Sequence, residues 1–425
     1  MTDRILDDLA ERGLIHDHTD SDGLRARLAA GPITLYSGFD PTADSLHIGN
    51  LVPLLLLRRF QDAGHRPIAL AGGATGMIGD PGGRTDERAL LDATTLDANL
   101  AGIVPQLERL LDFTPGPTRA EVVDNRSWTA PLSLLEFLRD VGKHVTVNAM
   151  LAKESVKARV QSESGISFTE FSYMLLQAND YWWLHGQRDC ELQVGGSDQW
   201  GNITAGIDLI RRRSAATVHG LTVPLVTRAD GAKYGKSVDG AVWLSPTRTS
   251  SYAFYQYWMN VDDRDVERFL LQLTLLPVDE ARAVAAAHSE SPGRRDGQRR
   301  LAREMTGLIH GGAAATAAAG ASVLLFGGDP AEADPSAFEM LAGELPVTRI
   351  EPHDLQGGLP AVELLARTSL ASSNSDARRS LTAGEIAVNG RRLTVDEAVS
   401  ERDLLHRRFL LVRRGKKRYE LVVSP

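Results

Sequence analysis

Residues 33–73, ITLYSGFDPTADSLHIGNLVPLLLLRRFQDAGHRPIALAGG, decide the fold. The ends, ITLYSGF (33–39) and RPIALAGG (66–73), read as strands, and 46–63 between them reads as a helix with apolar positions along its length. Strand, helix and strand joined by short links make a parallel crossover unit, so an α/β sheet is expected. Ligands of such sheets sit beyond the carboxyl ends of the strands. That places the loop DPTADS and the helix start SLHIGN (45–50) at a candidate site. With Ser45 as N-cap, His47 falls in the first turn and Asn50 three residues on, sharing a face. Gly49 between them leaves bare backbone for a flat group, and free N–H groups with the helix dipole favour a phosphate. Taken alone, these few residues are more often an ordinary helix start.

Further strands are read at 121–125 (EVVDN), 190–196 (CELQVGG) and 222–226 (TVPLV), with helical patterns near 95–112, 131–141, 150–163, 167–185 and 199–213. From about 250 to 327 only helical patterns occur. Residues 328–358 are rich in Pro, Gly and acids, as a linker is, with room for one short helix. Order returns in the last 70 residues, and no internal repeat is found. The expected layout is a Rossmann-like parallel-sheet domain (1–247) with an insert near 120–190, an all-α domain (248–328), a linker (329–355) and a small α+β domain (356–425).

The chain has 425 residues, 43% hydrophobic and 24% charged, an ordinary globular composition. Its start is an acidic amphipathic helix without the features of a secretory signal. Neither LVPLLLL nor the alanine-rich stretch 313–326 has the length of a membrane span, so no membrane partner is expected. A single cysteine, Cys190, allows no intrachain disulfide or thiolate cluster, which fits a reducing cytoplasm. The net charge of −8 argues against a protein that coats nucleic acid, DNA included. The last 25 residues differ, with eight basic side chains against three acidic ones, a pattern of local nucleic-acid contact.

On FSYMLLQANDYWW (171–183), Tyr173, Gln177 and Asp180 are spaced i, i+4, i+7 and line one helix face. Buried polar groups need partners, so either an internal network or a ligand satisfies them. QVGGSDQWGN (193–202) ends a strand in two glycines followed by a carboxylate and an amide. ADGAKYGKS (229–237) sets Lys233 and Lys236 among glycines, which by itself is an ordinary basic loop.

The string LYSGFDPTADSLHIGN closely resembles the ATP motif of the class I aminoacyl-tRNA synthetases, in the form found in bacterial tyrosyl-tRNA synthetases. That family usually carries histidine where this chain has Asn50, which keeps an amide donor and loses the imidazole. The resemblance runs from about residue 30 to 423 with four motifs in order. It implies that Asp180 and Tyr36 take the phenol of L-tyrosine, and that Asp80, Tyr173 and Gln177 hold its ammonium group. Gln193 and Gln199 would contact the tyrosine end, and Asp198 the ribose. Gly38, Asp40, His47, Gly49, Asn50, Gly196, Lys236 and Ser237 would line the ATP site. Thr42 and His47 would bond the γ-phosphate, and Lys233, Lys236, Arg84 and Arg88 would meet charge on the phosphates. Phenylalanine in such a pocket would leave Asp180 and Tyr36 desolvated without a partner. No editing domain is read in the chain.

The C-terminal stretch SLASSNSDARRSLTAGEIAVNGRRL resembles a small RNA-binding module shared with a ribosomal protein and pseudouridine synthases. Arg378, Arg379, Arg391, Arg392, Arg407, Arg408, Arg413, Arg414, Lys416, Lys417 and Arg418 would then form a phosphate surface. The resemblance implies tyrosine tRNA as partner, ATP with Mg²⁺ as substrate, no resident metal or tightly bound cofactor, and a homodimer joined through 131–165. Three alternatives stay open. A tryptophan ligase shares the fold, although the Tyr36–Asp180 pair favours a phenol. Ser37 and Asn50 allow a specialised or inhibitor-resistant paralogue. A non-catalytic RNA-binding descendant is the third.

Overall fold

The structure, a computed structural model, describes residues 4–425 except 82–90, 161–164, 228, 230–235, 238 and 239. It divides into two compact units. One comprises Met1–Thr249 with Val261–Leu301, the other Ser250–Asn260 with Ala302–Pro425.

The first unit is built on six strands: β1 (Asp17–His18), β2 (Thr34–Phe39), β3 (Arg66–Ala71), β4 (Glu121–Asp124), β5 (Cys190–Gly196) and β6 (His219–Val223). Their spatial order is β1-β6-β5-β2-β3-β4, parallel throughout except for the antiparallel edge strand β1. The chain leaves β2 towards β3 on one side, and β5 lies on the other. The crevice at the carboxyl ends of β2 and β5 is therefore the topological switch point, where α/β sheets bind ligands.

The helix Leu51–Asp62 is buried along most of its length. Pro53 sits in its first turn, where no intrahelical N–H is needed, and Gly64 at φ +99° follows its end. Arg59, two residues past the apolar run LVPLLLL, is itself buried and donates to the Thr274 carbonyl at 2.6 Å. That carbonyl follows the helix Val266–Leu273, whose negative end suits a cation. Burial, with Arg12 close by, pulls Arg59 down to about 9.

The stretch read as a helix at 150–163 is broken into Val147–Leu151 and Glu154–Val160. The helical region 250–327 does not form one body. The helices Val266–Leu273 and Val278–Glu290 belong to the first unit, Ser251–Met259 and Gly312–Leu325 to the second.

The second unit carries a five-stranded sheet in the order Arg391–Arg392, Ile386–Val388, Phe409–Arg414, Arg418–Val423, Val347–Arg349. Residues 329–355, expected as a linker, supply that last strand and the helix Pro335–Ala342. The helix buries Phe338 and Leu341 against Leu324, Phe409 and Leu421, with Phe338 stacked on Phe409 at 5.3 Å. The Pro and acidic residues that suggested a linker are largely helix-start residues here, with Asp334 as N-cap and Pro335 in the first turn. Among the described residues no helix is long and apolar enough to cross a membrane.

Candidate active site

Four strand ends converge on one crevice. β2 delivers Tyr36 and, just past its end, Asp40. β3 is followed by Gly72, Gly73 and Thr75, β4 by Asn125 and Trp128, and β5 ends in Gly196 with Asp198 and Gln199 just beyond it. The helix Phe168–Arg188 crosses them with Tyr173, Gln177 and Asp180. The expected face is therefore real, and it meets the strand ends.

Asp180 is buried and accepts two hydrogen bonds, from Asn125 Nδ2 at 2.9 Å and from Trp128 Nε1 at 2.8 Å. Burial pushes its carboxyl up to about 7, against the pull of those two donors. Asn125 is fully engaged: its Oδ1 accepts from Ala74 N at 2.7 Å, and its Nδ2 also reaches Thr75 Oγ1 at 3.1 Å. Thr75 donates onward to Asp40 Oδ1 at 2.7 Å, and Tyr173 donates to Asp40 Oδ2 at 2.8 Å. A continuous polar chain thus joins Asp180 to Asp40. Gly72 makes room for it, because a Cβ there would stand 2.1 Å from Asp40 Oδ1.

A second group lies on the other flank. Gln199 donates to Asp80 Oδ2 at 2.7 Å, and Asn202 donates to both Gln177 Oε1 at 3.1 Å and Gln199 Oε1 at 3.2 Å. Two atoms stand outside both networks. Tyr36 Oη and Gln193 Oε1 are buried and have no hydrogen-bond partner among the described residues. Buried polar atoms left unpaired are costly, and at a cleft they point to a ligand.

At SLHIGN the capping differs from the expectation. His47, not Ser45, is the N-cap of the turn Ile48–Asn50. Its Nδ1 accepts from Gly49 N at 3.1 Å, while Asn50 Oδ1 accepts from His47 N at 3.1 Å. Ser45 instead accepts from Ser245 N at 3.1 Å. The flat group against Gly49 is the His47 ring itself, since a Cβ at 49 would lie 2.8 Å from His47 Cε1. Burial lowers the imidazole's pKa, so it is neutral at pH near 7. With Nδ1 accepting, the proton sits on Nε2, which is a donor. Thr42 and Gly38 are exposed.

Arg84, Arg88 and Lys233 lie outside the described residues. Lys236 and Ser237 form a short antiparallel strand with Gly240 and Ala241. The chain beyond that hairpin pairs with the histidine turn: Ile48 N donates to Val242 O at 3.0 Å and Leu244 N to Leu46 O at 2.8 Å. The sequence reading missed this link, and it missed Thr75, Asn125, Trp128 and Asn202. Asn125 was within reach, because EVVDN ends a parallel strand in polar residues.

Of the basic residues expected on an RNA surface, Arg414 is committed elsewhere. It donates to Asp376 at 2.9 Å and to the Leu370 carbonyl at 2.7 Å. Arg379, Arg391 and Arg408 pair with Asp376, Glu397 and Glu339, and Arg418 donates to the Ser369 carbonyl. Arg378, Arg392, Arg407, Arg413, Lys416 and Lys417 have no ion-pair partner among the described residues.

Residues 28–327 match the family described as tRNA synthetases class I (W and Y), and 338–422 match the C-terminal domain of tyrosine–tRNA ligases. The chain belongs to the class I tRNA synthetases, among the tyrosine–tRNA ligases. It is 54% identical over 420 residues to the tyrosine–tRNA ligase of Opitutus terrae, covering 98% of this chain and 99% of that one. It is 52% identical over 426 residues to that of Nocardia farcinica, covering 98% of each. A C-terminally truncated mitochondrial tyrosyl-tRNA synthetase from Aspergillus nidulans superposes with a TM-score of 0.68 at 33% identity, over 74% of this chain and 92% of that one. A tryptophanyl-tRNA synthetase from Encephalitozoon cuniculi shares the fold at 14% identity and a TM-score of 0.54, over 73% of this chain and 86% of that one. Fold alone therefore does not choose between the two amino acids, and the pocket has to.

Proposed function

We propose that this synthetase activates L-tyrosine with ATP and transfers it to the 3′ end of tyrosine tRNA, with the crevice residues in distinct roles. The observation that carries the choice of tyrosine is that a buried carboxylate, Asp180, acts electrostatically on the unpartnered, buried hydroxyl of Tyr36. A phenol satisfies both, donating to one and accepting from the other. Tyr173, Gln177 and Asp80 bind the ammonium group; the Tyr173 oxygen still has lone pairs after donating to Asp40. Gln193 and Gln199 complete the tyrosine end.

Gly38, Asp40, Gly49, Asn50, Gly196, Asp198 and Ser237 line the nucleotide site. The tyrosine carboxylate oxygen attacks the α-phosphorus of ATP in line. One O–P bond forms, the α–β bridge breaks, and pyrophosphate leaves with the electron pair. Thr42, His47 Nε2–H and the cations Lys233, Lys236, Arg84 and Arg88 stabilise charge on the phosphates as it develops. A terminal ribose hydroxyl of the tRNA then attacks the tyrosyl carbonyl, and AMP departs. Mg²⁺ accompanies ATP as part of the substrate. The His47 Nε2–H and the exposed Thr42 hydroxyl are donors of a kind that suits phosphate oxygens.

The functional particle is a homodimer. Leu134, Leu135, Val147 and Phe168 are exposed apolar residues in and beside the 131–165 segment, and a second copy would cover them. Its compartment is the cytoplasm, where the buried, unpaired Cys190 stays a thiol.

The experiment is ATP–pyrophosphate exchange with tyrosine, tryptophan and phenylalanine side by side, followed by charging of tyrosine tRNA. Exchange with tyrosine alone and subsequent charging are expected. Exchange without charging would indicate a specialised paralogue, and no exchange in folded protein would refute the catalytic reading.

A further inference from the structure

Asp180 is held by two donors that are anchored very differently. Asn125 is completely buried and fixed by the Ala74 N–H and Thr75 Oγ1 as well as by Asp180. Trp128 sits on the four-residue helix Arg126–Thr129, which has no side-chain cap. A helix that short has little stability of its own. The indole packs at the edge of the core cluster that holds Tyr36 and Tyr181, and it stacks face to face on Trp183, with ring centroids 4.1 Å apart and planes 11° from parallel.

Trp183 lies three residues after Asp180 on the helix Phe168–Arg188, so the two share a face. The contacts close a ring: Asp180 to Trp183 along the helix, Trp183 to Trp128 by stacking, and Trp128 back to Asp180 by its N–H at 2.8 Å. Trp183 is also met by Arg188, whose Cζ is 5.5 Å from the ring centroid and whose Nε donates to Glu121 at the start of β4 at 3.1 Å. These contacts link the exposed Arg188, through two stacked indoles, to the buried Asp180.

We propose that Trp183 is a positioning residue for amino-acid selection, which, stacked on Trp128, fixes the N–H that aims the Asp180 carboxylate at the substrate's phenol. It touches no substrate itself. The proposal rests on the reading of Asp180 as the phenol acceptor. A hydroxyl-selective site works only if its acceptor is held in place in advance; an acceptor free to swing finds other partners and discriminates less.

The test uses the full-length protein and ATP–pyrophosphate exchange with tyrosine and phenylalanine, in the wild type, Asp180→Asn, Trp183→Leu and Trp183→Phe. Trp183→Leu keeps apolar bulk and removes the stack. It is expected to raise KM for tyrosine roughly tenfold, the scale of one charge-assisted hydrogen bond, with KM for ATP unchanged and the tyrosine preference over phenylalanine reduced. Trp183→Phe, which keeps an aromatic face, is expected to recover most of both. Should Trp183→Leu fail to fold, Trp183→Phe decides alone through a smaller change of the same kind, confined to tyrosine. Unchanged tyrosine KM and selectivity, or equal rises in both KM values, overturn the proposal. Absence of tyrosine exchange in the wild type, or full activity of Asp180→Asn, would instead refute the pocket reading beneath it.

Discussion

Tyr36 on β2 and Gln193 on β5 are lateral neighbours in the sheet, and each ends in a buried oxygen without a hydrogen-bond partner among the described residues. Their adjacency depends on one irregularity. Thr34 pairs with Cys190 but Leu35 pairs with Leu192, so Glu191 is an extra residue in the ladder. In an unbroken register Leu192 would stand beside Tyr36, and an apolar side chain would occupy the place of the amide. Glu191 is kept out of the way by Arg27, whose Nε and Nη2 each reach its carboxylate at 2.7 Å.

The unpartnered hydroxyl makes Tyr36→Phe a separating mutation. In the free protein it removes a buried group that lacks a partner, so stability is expected to rise by about 1 kcal/mol. In the complex it removes a phenol contact, so tyrosine affinity is expected to fall roughly tenfold. Thermal unfolding without ligand and tyrosine titration of the same samples check both signs. A variant that loses stability as well as affinity would mean the hydroxyl has a partner within the protein.

Asp180 predicts a pH dependence. Its carboxyl stands near 7 in the native protein, because of burial, against an ordinary 3.8. Between those values the native state holds a proton that the unfolded chain has released. Stability from this group is therefore full below 3.8, declines as pH rises, and levels off above about 7. Asp180→Asn removes that part of the slope, which unfolding midpoints of both proteins across this range would reveal. Asparagine also turns a donor towards either Asn125 or Trp128, so the diagnostic quantity is the difference in slope, not the midpoint at one pH. Tyrosine binding has the opposite trend, strengthening as the acceptor ionises.

The parallel sheet, the helix face at 173, 177 and 180, and the crevice at the strand ends were legible because period and strand-end position are local properties of sequence. The second layer was not. Trp128 and Asn125 matter only because β4 lies at the sheet's edge beside β3 and its exit loop turns back over Asp180, a consequence of strand order. The linker expected at 329–355 failed for a related reason. Asp334–Pro335 is both a loop signal and a helix start, and the burial of Phe338 by Phe409, 71 positions along the numbering, decides between them. Arg414 was grouped with its neighbours by charge, although the sheet turns successive residues of a strand to opposite faces.

Gly49→Ala tests the histidine turn. Gly49 has an ordinary helical-side φ, so alanine there carries no backbone strain and folding stability should hold. Its Cβ would lie 2.8 Å from His47 Cε1 and 3.0 Å from Nδ1, forcing the imidazole off its bond with the Gly49 N–H. The Nε2 donor then loses its aim. Adenylate formation is expected to slow roughly tenfold or more in kcat with KM for tyrosine unchanged, as for a contact made in the transition state. Pre-steady-state pyrophosphate release would report it, and a rise in tyrosine KM alone would contradict the placement.

Arg413 and Arg414 separate RNA binding from folding within one strand, Phe409–Arg414. Arg414 is largely buried and bonds Asp376, the Leu370 carbonyl and Glu385. Asp376 lies in the first turn of the helix Asn374–Thr382, so the arginine ties that helix to the sheet. Arg414→Ala is expected to lower the unfolding temperature of the C-terminal unit, with tRNA binding weakened only as far as the fold is. Arg413, on the opposite face, has no ion-pair partner among the described residues. Arg413→Ala should leave the unfolding temperature unchanged, weaken tRNA binding, and reduce the slope of log affinity against log salt by about one counterion. Calorimetry and salt-titrated binding on the two variants distinguish these outcomes. Equal loss of RNA binding with no loss of stability in both would show that Arg414 leaves its carboxylates for phosphate.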